Sequence, residues 1–170
     1  MQLLTAVARG FQLIFSVVVL GISIAIARQQ YVGNVPSQTG YAAFTGALGV
    51  LASLIGIAAL WVESLSGIII WVLDGVTSLA LLAAGVVYAV TLKGTNCSTP
   101  NVATWENPLM SGGCVGKGSS KVCYDVPYDA KNFSLLTSRC RRAEADCAFM
   151  FLACIATLGV LIASFLSRNR

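Results

Sequence analysis

The sequence predicts an all-α integral membrane protein: a four-helix bundle with a disulfide-braced loop between helices three and four. Three observations carry this expectation. Hydrophobic residues make up 56% of the chain and charged residues 11%, with a mean hydropathy of +0.79. A soluble domain averages about 25% charged residues, so this chain lacks the charge to cover a water-facing surface. The charges that are present leave four long gaps, each near the roughly 20 residues an α-helix needs to cross hydrocarbon. Finally, four of the six cysteines crowd into the one long polar segment, after the third gap. A length of 170 residues suits a single domain.

The first uncharged run, Phe11 to Ala27, lies between Arg9 and Arg28. It is short, so the span is placed at about 7–27, with Arg9 snorkelling back to the interface. A cleaved leader would share the upstream basic residue and the small-residue site Ala25-Ile26-Ala27. The apolar stretch is longer than most leader cores, and it counts here as a span. The second run, Tyr41 to Trp61, ends before Glu63 and gives a span over 41–61. The third, Gly67 to Leu92, contains one charge, Asp74, and gives a span over 67–92. The fourth, Cys147 to Leu166, lies between Asp146 and Arg168 and gives a span over about 145–166. Trp61, Trp71, Tyr41 and Tyr88 fall near span ends and read as interfacial anchors.

The connections are unequal. Arg28 to Gly40 is polar and turn-rich, and Val62 to Ser66 can only join adjacent antiparallel helices. The third connection, 93–142, holds three of the four prolines and the four clustered cysteines. With four spans the termini share one side and this loop lies on the other. Counting Lys and Arg alone, the loop carries more positive charge than the termini, which favours a cytosolic loop. Cysteine density favours an oxidising compartment instead. Glu106, Asp125, Asp129, Glu144 and Asp146 offset much of the basic charge. We therefore expect 93–142 to be extracellular and both termini cytosolic. Two glycosylation sequons lie in the loop, at Asn96 and Asn132, the first close to the membrane.

Cys97, Cys114, Cys123 and Cys140 are separated by 17, 9 and 17 positions (97 to 114, 114 to 123, 123 to 140). Spacing alone does not choose among the three pairings. The symmetry suits a nested ladder, Cys97–Cys140 outside and Cys114–Cys123 inside. No C-x-x-C occurs, so a disulfide-relaying oxidoreductase lacks its defining pair, and the spacings fit no common zinc pattern. Cys147 and Cys154 follow Cys140 at heptad spacing and read as small packing residues.

Small residues mark where helices can approach closely. Ala42, Gly46, Gly49, Ser53 and Gly56 recur at spacings of 4, 3, 4 and 3 in the second helix, a full heptad stripe. It reads either as a seam inside the bundle or as a self-association face. Gly75, Ser78, Gly85 and Ala89 repeat the theme less strictly in the third helix. Asp74 is the one ionisable residue well inside an uncharged run. Such a residue marks an ion or proton path by default. With no histidine and no second buried carboxylate in view, a structural role is favoured, pairing Asp74 with Ser53, Gln12, Ser16 or an end arginine. On this reading Asp74→Asn leaves function intact, whereas Gly49→Leu disperses the protein.

The absence of histidine also removes Ser-His and Cys-His nucleophile pairs and His-ligated metals. No catalytic residue, cofactor or resident metal is expected, and nucleic acid is not an expected partner.

Tetraspanins share the layout, but their outer loop carries Cys-Cys-Gly where this chain has Gly112-Gly113-Cys114; claudins place the long loop after the first span. The chain resembles the MARVEL-domain group, specifically the fungal non-classical export protein 2 family. The resemblance is carried by Leu73-Asp74, Cys97, and Arg139-Cys140-Arg141-Arg142-Ala143 followed by Cys147 and Cys154. Cys114 and Cys123 depart from that pattern as additions to a two-cysteine loop, and the tail after Leu166 is shorter than in some relatives. The resemblance implies a non-enzymatic plasma-membrane organiser, resident in eisosome-associated compartments, responsive to sphingolipid and linked to unconventional secretion. Its implied partners are membrane lipids, sterol and sphingolipid among them, other membrane proteins and further copies of itself. A small transporter, or an auxiliary subunit of a larger transporter or synthase, is the alternative.

Overall fold

Each long apolar run forms one helix, and the first and fourth helices extend beyond their runs at both ends. The structure, a computed structural model, describes residues 2–61, 67–116, 122–123 and 130–168, and the side chains of all of these except 2–4, 115, 122, 130–133 and 167–168. Helix α1 is Gln2–Arg28, α2 is Ser37–Ala58 and α3 is Ile68–Thr91. A single turn, α4 (Val102–Trp105), precedes a two-residue antiparallel ladder of β1 (Cys114–Val115) and β2 (Val122–Cys123). Helix α5 runs from Ala130 to Arg168, 39 residues. Four helices are long and apolar enough to cross a membrane, over Thr5–Arg28, Ser37–Ala58, Ile68–Thr91 and Ser134–Leu166.

The largest departure from the sequence reading is at α5. Residues 130–142, assigned above to the loop, are helical, and Arg139 to Arg142 lie in the third and fourth turns. The charged residues around Arg139 end the apolar run without ending the helix, because arginine, glutamate and alanine are good helix formers. Lipid contact and backbone hydrogen bonding end at different places along the same rod. At about 1.5 Å per residue α5 is roughly 58 Å long, nearly twice the hydrocarbon thickness. Helix α2 differs in the other direction. It stops at Ala58, and the amides of Leu60 and Trp61 close turns onto Ile57 and Ala58.

The helices close into a ring: α1 packs on α2 and α5, and α3 packs on α2 and α5. The core runs through the whole bundle and into the loop. Val19 and Ile26 from α1, Ala42 from α2, Ala84 and Tyr88 from α3, and Leu136, Cys140, Ala143 and Met150 from α5 share one buried cluster with Leu109 and Met110. Those last two residues plug the loop end of the bundle. Tyr88, read above as an interfacial anchor, is fully buried among them, whereas Trp61 is exposed.

Asparagines set this cap. The Asn101 side chain accepts from the Thr104 amide at 3.0 Å and caps α4. Asn107 donates to the Thr91 carbonyl at 2.7 Å, satisfying an acceptor that the end of α3 leaves open. The first loop locks on by backbone, since the amides of Tyr31 and Val32 both donate to the Gly112 carbonyl, at 2.9 and 3.1 Å. The contact needs glycine at 113. Its φ is +114°, and a Cβ there would overlap the Val32 carbonyl oxygen.

Two disulfides hold the cap: Cys97–Cys140 joins the end of the third connection's first turn to α5, and Cys114–Cys123 links facing residues of the ladder. Their sequence separations are 43 and 9. In the chain-entropy account, loops of those lengths stabilise by roughly 4 and 2.5 kcal/mol. Cys97→Ser/Cys140→Ser should therefore lower the thermal midpoint of the purified protein further than Cys114→Ser/Cys123→Ser. Thermal scans of the two double variants check this, and a larger loss on removing the inner bridge would reverse the order.

Candidate functional site

The chemistry-bearing residues lie between the helices, in two polar layers. The first is near the terminal end. Arg9 of α1 reaches Asp74 of α3 with both guanidinium nitrogens, Nη1 to Oδ1 at 2.6 Å and Nη2 to Oδ2 at 2.5 Å. Both residues are about 2% exposed or less. Arg9 also donates to Gln12 Oε1 at 3.0 Å, and the Gln12 amide leans on Asp74 Oδ1 at 3.5 Å. The planar fork of arginine matches a carboxylate in this two-bond geometry, which a lysine could not reproduce. Arg9 therefore does not snorkel. A buried carboxylate across the bundle offers it more than the interface would. Of the partners foreseen for Asp74, the end arginine and Gln12 are present, while Ser53 donates to its own helix at the Val50 carbonyl.

The small-residue stripe explains how the pair fits. All five members, Ala42, Gly46, Gly49, Ser53 and Gly56, are buried, and the three glycines face α1. A Cβ at Gly46 would lie 2.8 Å from the Leu20 backbone nitrogen and 3.0 Å from its Cα. A Cβ at Gly49 would strike the Ser16 hydroxyl, and one at Gly56 would strike the Arg9 guanidinium. The stripe is thus a seam inside the bundle, already filled by α1, and Gly56 clears the space in which Arg9 turns toward Asp74. The third-helix series divides. Gly85 faces the Phe151 ring and Ser78 meets Cys154, but a Cβ at Gly75 would meet nothing and Ala89 is exposed.

The second layer lies near the loop end, and the sequence reading missed it. Asp146 of α5 is fully buried and accepts from the Ser23 hydroxyl of α1 at 2.7 Å. The Tyr88 phenol of α3 sits beside Ser23, Asp146 and Thr39 of α2, so all four long helices contribute. Asp146 had been read as a flanking charge because it ends the apolar run. Its position seven residues after Arg139 and one before Cys147 puts it on the edge of the face that packs inward, which was the available signal. Between the layers, Cys147 and Cys154 approach the carbonyls of Gly85 and Ser78 at 3.5 Å, tying α5 to α3.

Arg139, counted above as a loop charge, is 2% exposed. It donates to the Met110 carbonyl at 3.1 Å and Gln29 Oε1 at 3.3 Å, and lies over the Tyr31 ring with 5.8 Å to the centroid. It holds both loops onto α5. Cys97, Cys140 and Glu144 converge nearby, but both sulfurs are spent in the disulfide and offer no thiolate to a metal. Asn96 is exposed and its side chain accepts from the amides of Ser98 and Thr99. Asn132 falls in the first turn of α5, with its side chain outside the described residues.

The chain matches the family described as MARVEL, membrane-associating domain, over residues 2–163. The chain belongs to the MARVEL family. No curated protein and no solved structure matches it. The match takes in the first three spanning helices, most of the fourth, and the residues of both polar layers and the α1–α2 seam. A MARVEL domain associates with membranes, as the four apolar helices require.

Proposed function

We propose that this MARVEL protein is a non-enzymatic organiser of lipid–protein microdomains in the plasma membrane, of the fungal non-classical export protein 2 type. In this reading it associates with eisosomes, responds to sphingolipid, takes part in unconventional secretion, and gathers sterol, sphingolipid and other membrane proteins around its outer faces. The direction of its polar side chains supports the reading. Arg9, Gln12, Ser23, Asp74 and Asp146 all turn inward and bond across the bundle, while Phe11, Phe44, Leu51, Leu79, Ile155 and Ile162 face outward. In lipid, association between proteins rests on such outward packing surfaces. The Arg9 ion pair also weighs against a transport role for Asp74, whose carboxylate it occupies. Quantitative imaging of the tagged protein in its own cells tests the proposal. Patches at the cell surface that disperse when sphingolipid synthesis is blocked are expected, and an even distribution indifferent to sphingolipid would overturn it.

The same reading places both termini in the cytosol and the third connection outside the cell. Support comes from two disulfides at the loop end, since such bonds persist in oxidising compartments. Val102 is 61% exposed on the cap. In the Val102→Cys variant an impermeant maleimide should label intact cells, because Cys147 and Cys154 are held against α3. Labelling that appears only after permeabilisation would reverse the orientation.

A further inference from the structure

One face of α5 is left open where the bundle meets its cap. Residues 134, 137, 138, 141, 142 and 145 follow helical spacing and, together with Ile22 of α1, line a groove of about 600 Å³. Its character changes along its length. Ile22 and Ala145 form an apolar end, Arg141 and Arg142 come next, and the hydroxyls of Ser134, Thr137 and Ser138 complete the other end. The uninterrupted apolar run of α5 begins two residues past Ala145, so the arginines sit at the level where hydrocarbon gives way to headgroups. Among the described residues neither Arg141 nor Arg142 has an ion-pair or hydrogen-bond partner, in contrast to Arg139 on the inward face, and the buried Thr137 hydroxyl also has none. Arginine side by side with hydroxyls is the chemistry that holds phosphate, through charge-assisted hydrogen bonds.

We propose that this groove binds one lipid with an anionic phosphate in its headgroup, drawn from the leaflet on the side of the third connection, its phosphate held by Arg141 and Arg142, its headgroup against Ser134, Thr137 and Ser138, and its acyl chain along Ile22 and Ala145. The inference rests on the organiser reading and gives that reading a lipid seat on the bundle. Charge complementarity and the apolar-to-basic order along the groove select a lipid over a free anion, which would have no use for the apolar end.

The test uses the full-length protein in detergent, with phosphatidylinositol, phosphatidylcholine and inorganic phosphate as probes, and native mass spectrometry as the readout. Phosphatidylinositol should be retained at one per protein in preference to phosphatidylcholine. Arg141→Gln/Arg142→Gln should weaken retention about tenfold or more, given the usual strength of hydrogen bonds to charged groups. Ala145→Phe keeps both arginines and fills the apolar end, and it should cause a comparable loss. Arg28→Gln and Lys93→Gln remove exposed charges outside the groove and should leave retention within twofold. Recovery of the intact Cys97–Cys140 bridge confirms that each variant is folded. Equal retention of the two lipids, an equal loss in the Arg28 or Lys93 variants, or displacement of the lipid by millimolar phosphate would each overturn the proposal. If the groove variants keep their lipid while the protein still clusters in cells, the groove fails and the organiser reading stands. Loss of sphingolipid-dependent clustering in the unaltered protein defeats the organiser reading instead.

Discussion

Asp74→Asn should cost the bundle about 3–5 kcal/mol, a large share of what holds a domain of this size folded. The substitution keeps the shape of the side chain, and for that reason the sequence alone suggested it would be tolerated. The ion pair with Arg9 predicts a large loss of stability instead. Asp74 accepts two charged hydrogen bonds from Arg9, and asparagine leaves the guanidinium buried without a counter-charge. Arginine does not shed its proton to escape, as a lysine would. Arg9→Gln should be damaging for the mirror-image reason. The double variant Arg9→Gln/Asp74→Asn replaces the ion pair with two neutral amides and should recover much of the loss, because the penalty comes from the stranded charge more than from the absent pair. Thermal midpoints of the three proteins in the same detergent decide the matter. An Asp74→Asn protein as stable as the wild type would mean that the pair does not form in lipid.

Gly46→Leu should be comparably severe. The added Cβ would meet the Leu20 backbone at 2.8–3.0 Å, and backbone cannot rotate out of the way. Overpacking a well-fitted site costs roughly 1–3 kcal/mol even when side chains can shift, and here whole helices must separate. Gly46→Ala should show the lower end of that range. Gly75→Leu is the matched control, since a Cβ at Gly75 meets nothing within 4 Å. The measurement is the fraction of monodisperse protein after mild heating. A Gly46→Leu bundle that behaves like Gly75→Leu would show that α1 and α2 do not touch at this point. The same geometry recasts the earlier expectation for Gly49→Leu. That change strikes Ser16 of α1, so any scattering of the protein in the membrane follows from a damaged bundle and not from a blocked contact between copies.

Much of the architecture was legible because hydrophobic length is a local quantity. Four long apolar runs, only one of them holding a charge, mark four crossings, and the cysteine-rich connection between the third and fourth runs marks where bridges form. What could not be read is what depends on neighbours. The Ala42–Gly56 spacing announces that something approaches closely, but not that the visitor is α1. Asp74 announces a buried charge, but its partner is 65 positions away, and Arg9 looked free to reach water. Asp146 and Arg139 were misread for a shared reason. Charges at the end of an apolar run look like a boundary, whereas on a helix that continues they alternate between an inward and an outward face. Arg139 falls on one face, Arg141 and Arg142 on the other, within a single turn and a half.

A ribosome completes α1 long before it reaches Asp74. For those 65 positions of growth Arg9 lacks the carboxylate it pairs with in the bundle, and a lone arginine within a spanning helix costs up to about 2.5–3.5 kcal/mol at the bilayer centre. The newborn first helix is therefore expected to lie toward the surface nearest its charged end until α3 supplies Asp74. Ser23 waits longer still, 123 positions, for Asp146. These two polar residues of the first helix thus wait for partners that the chain delivers later, one on the third helix and one on the last.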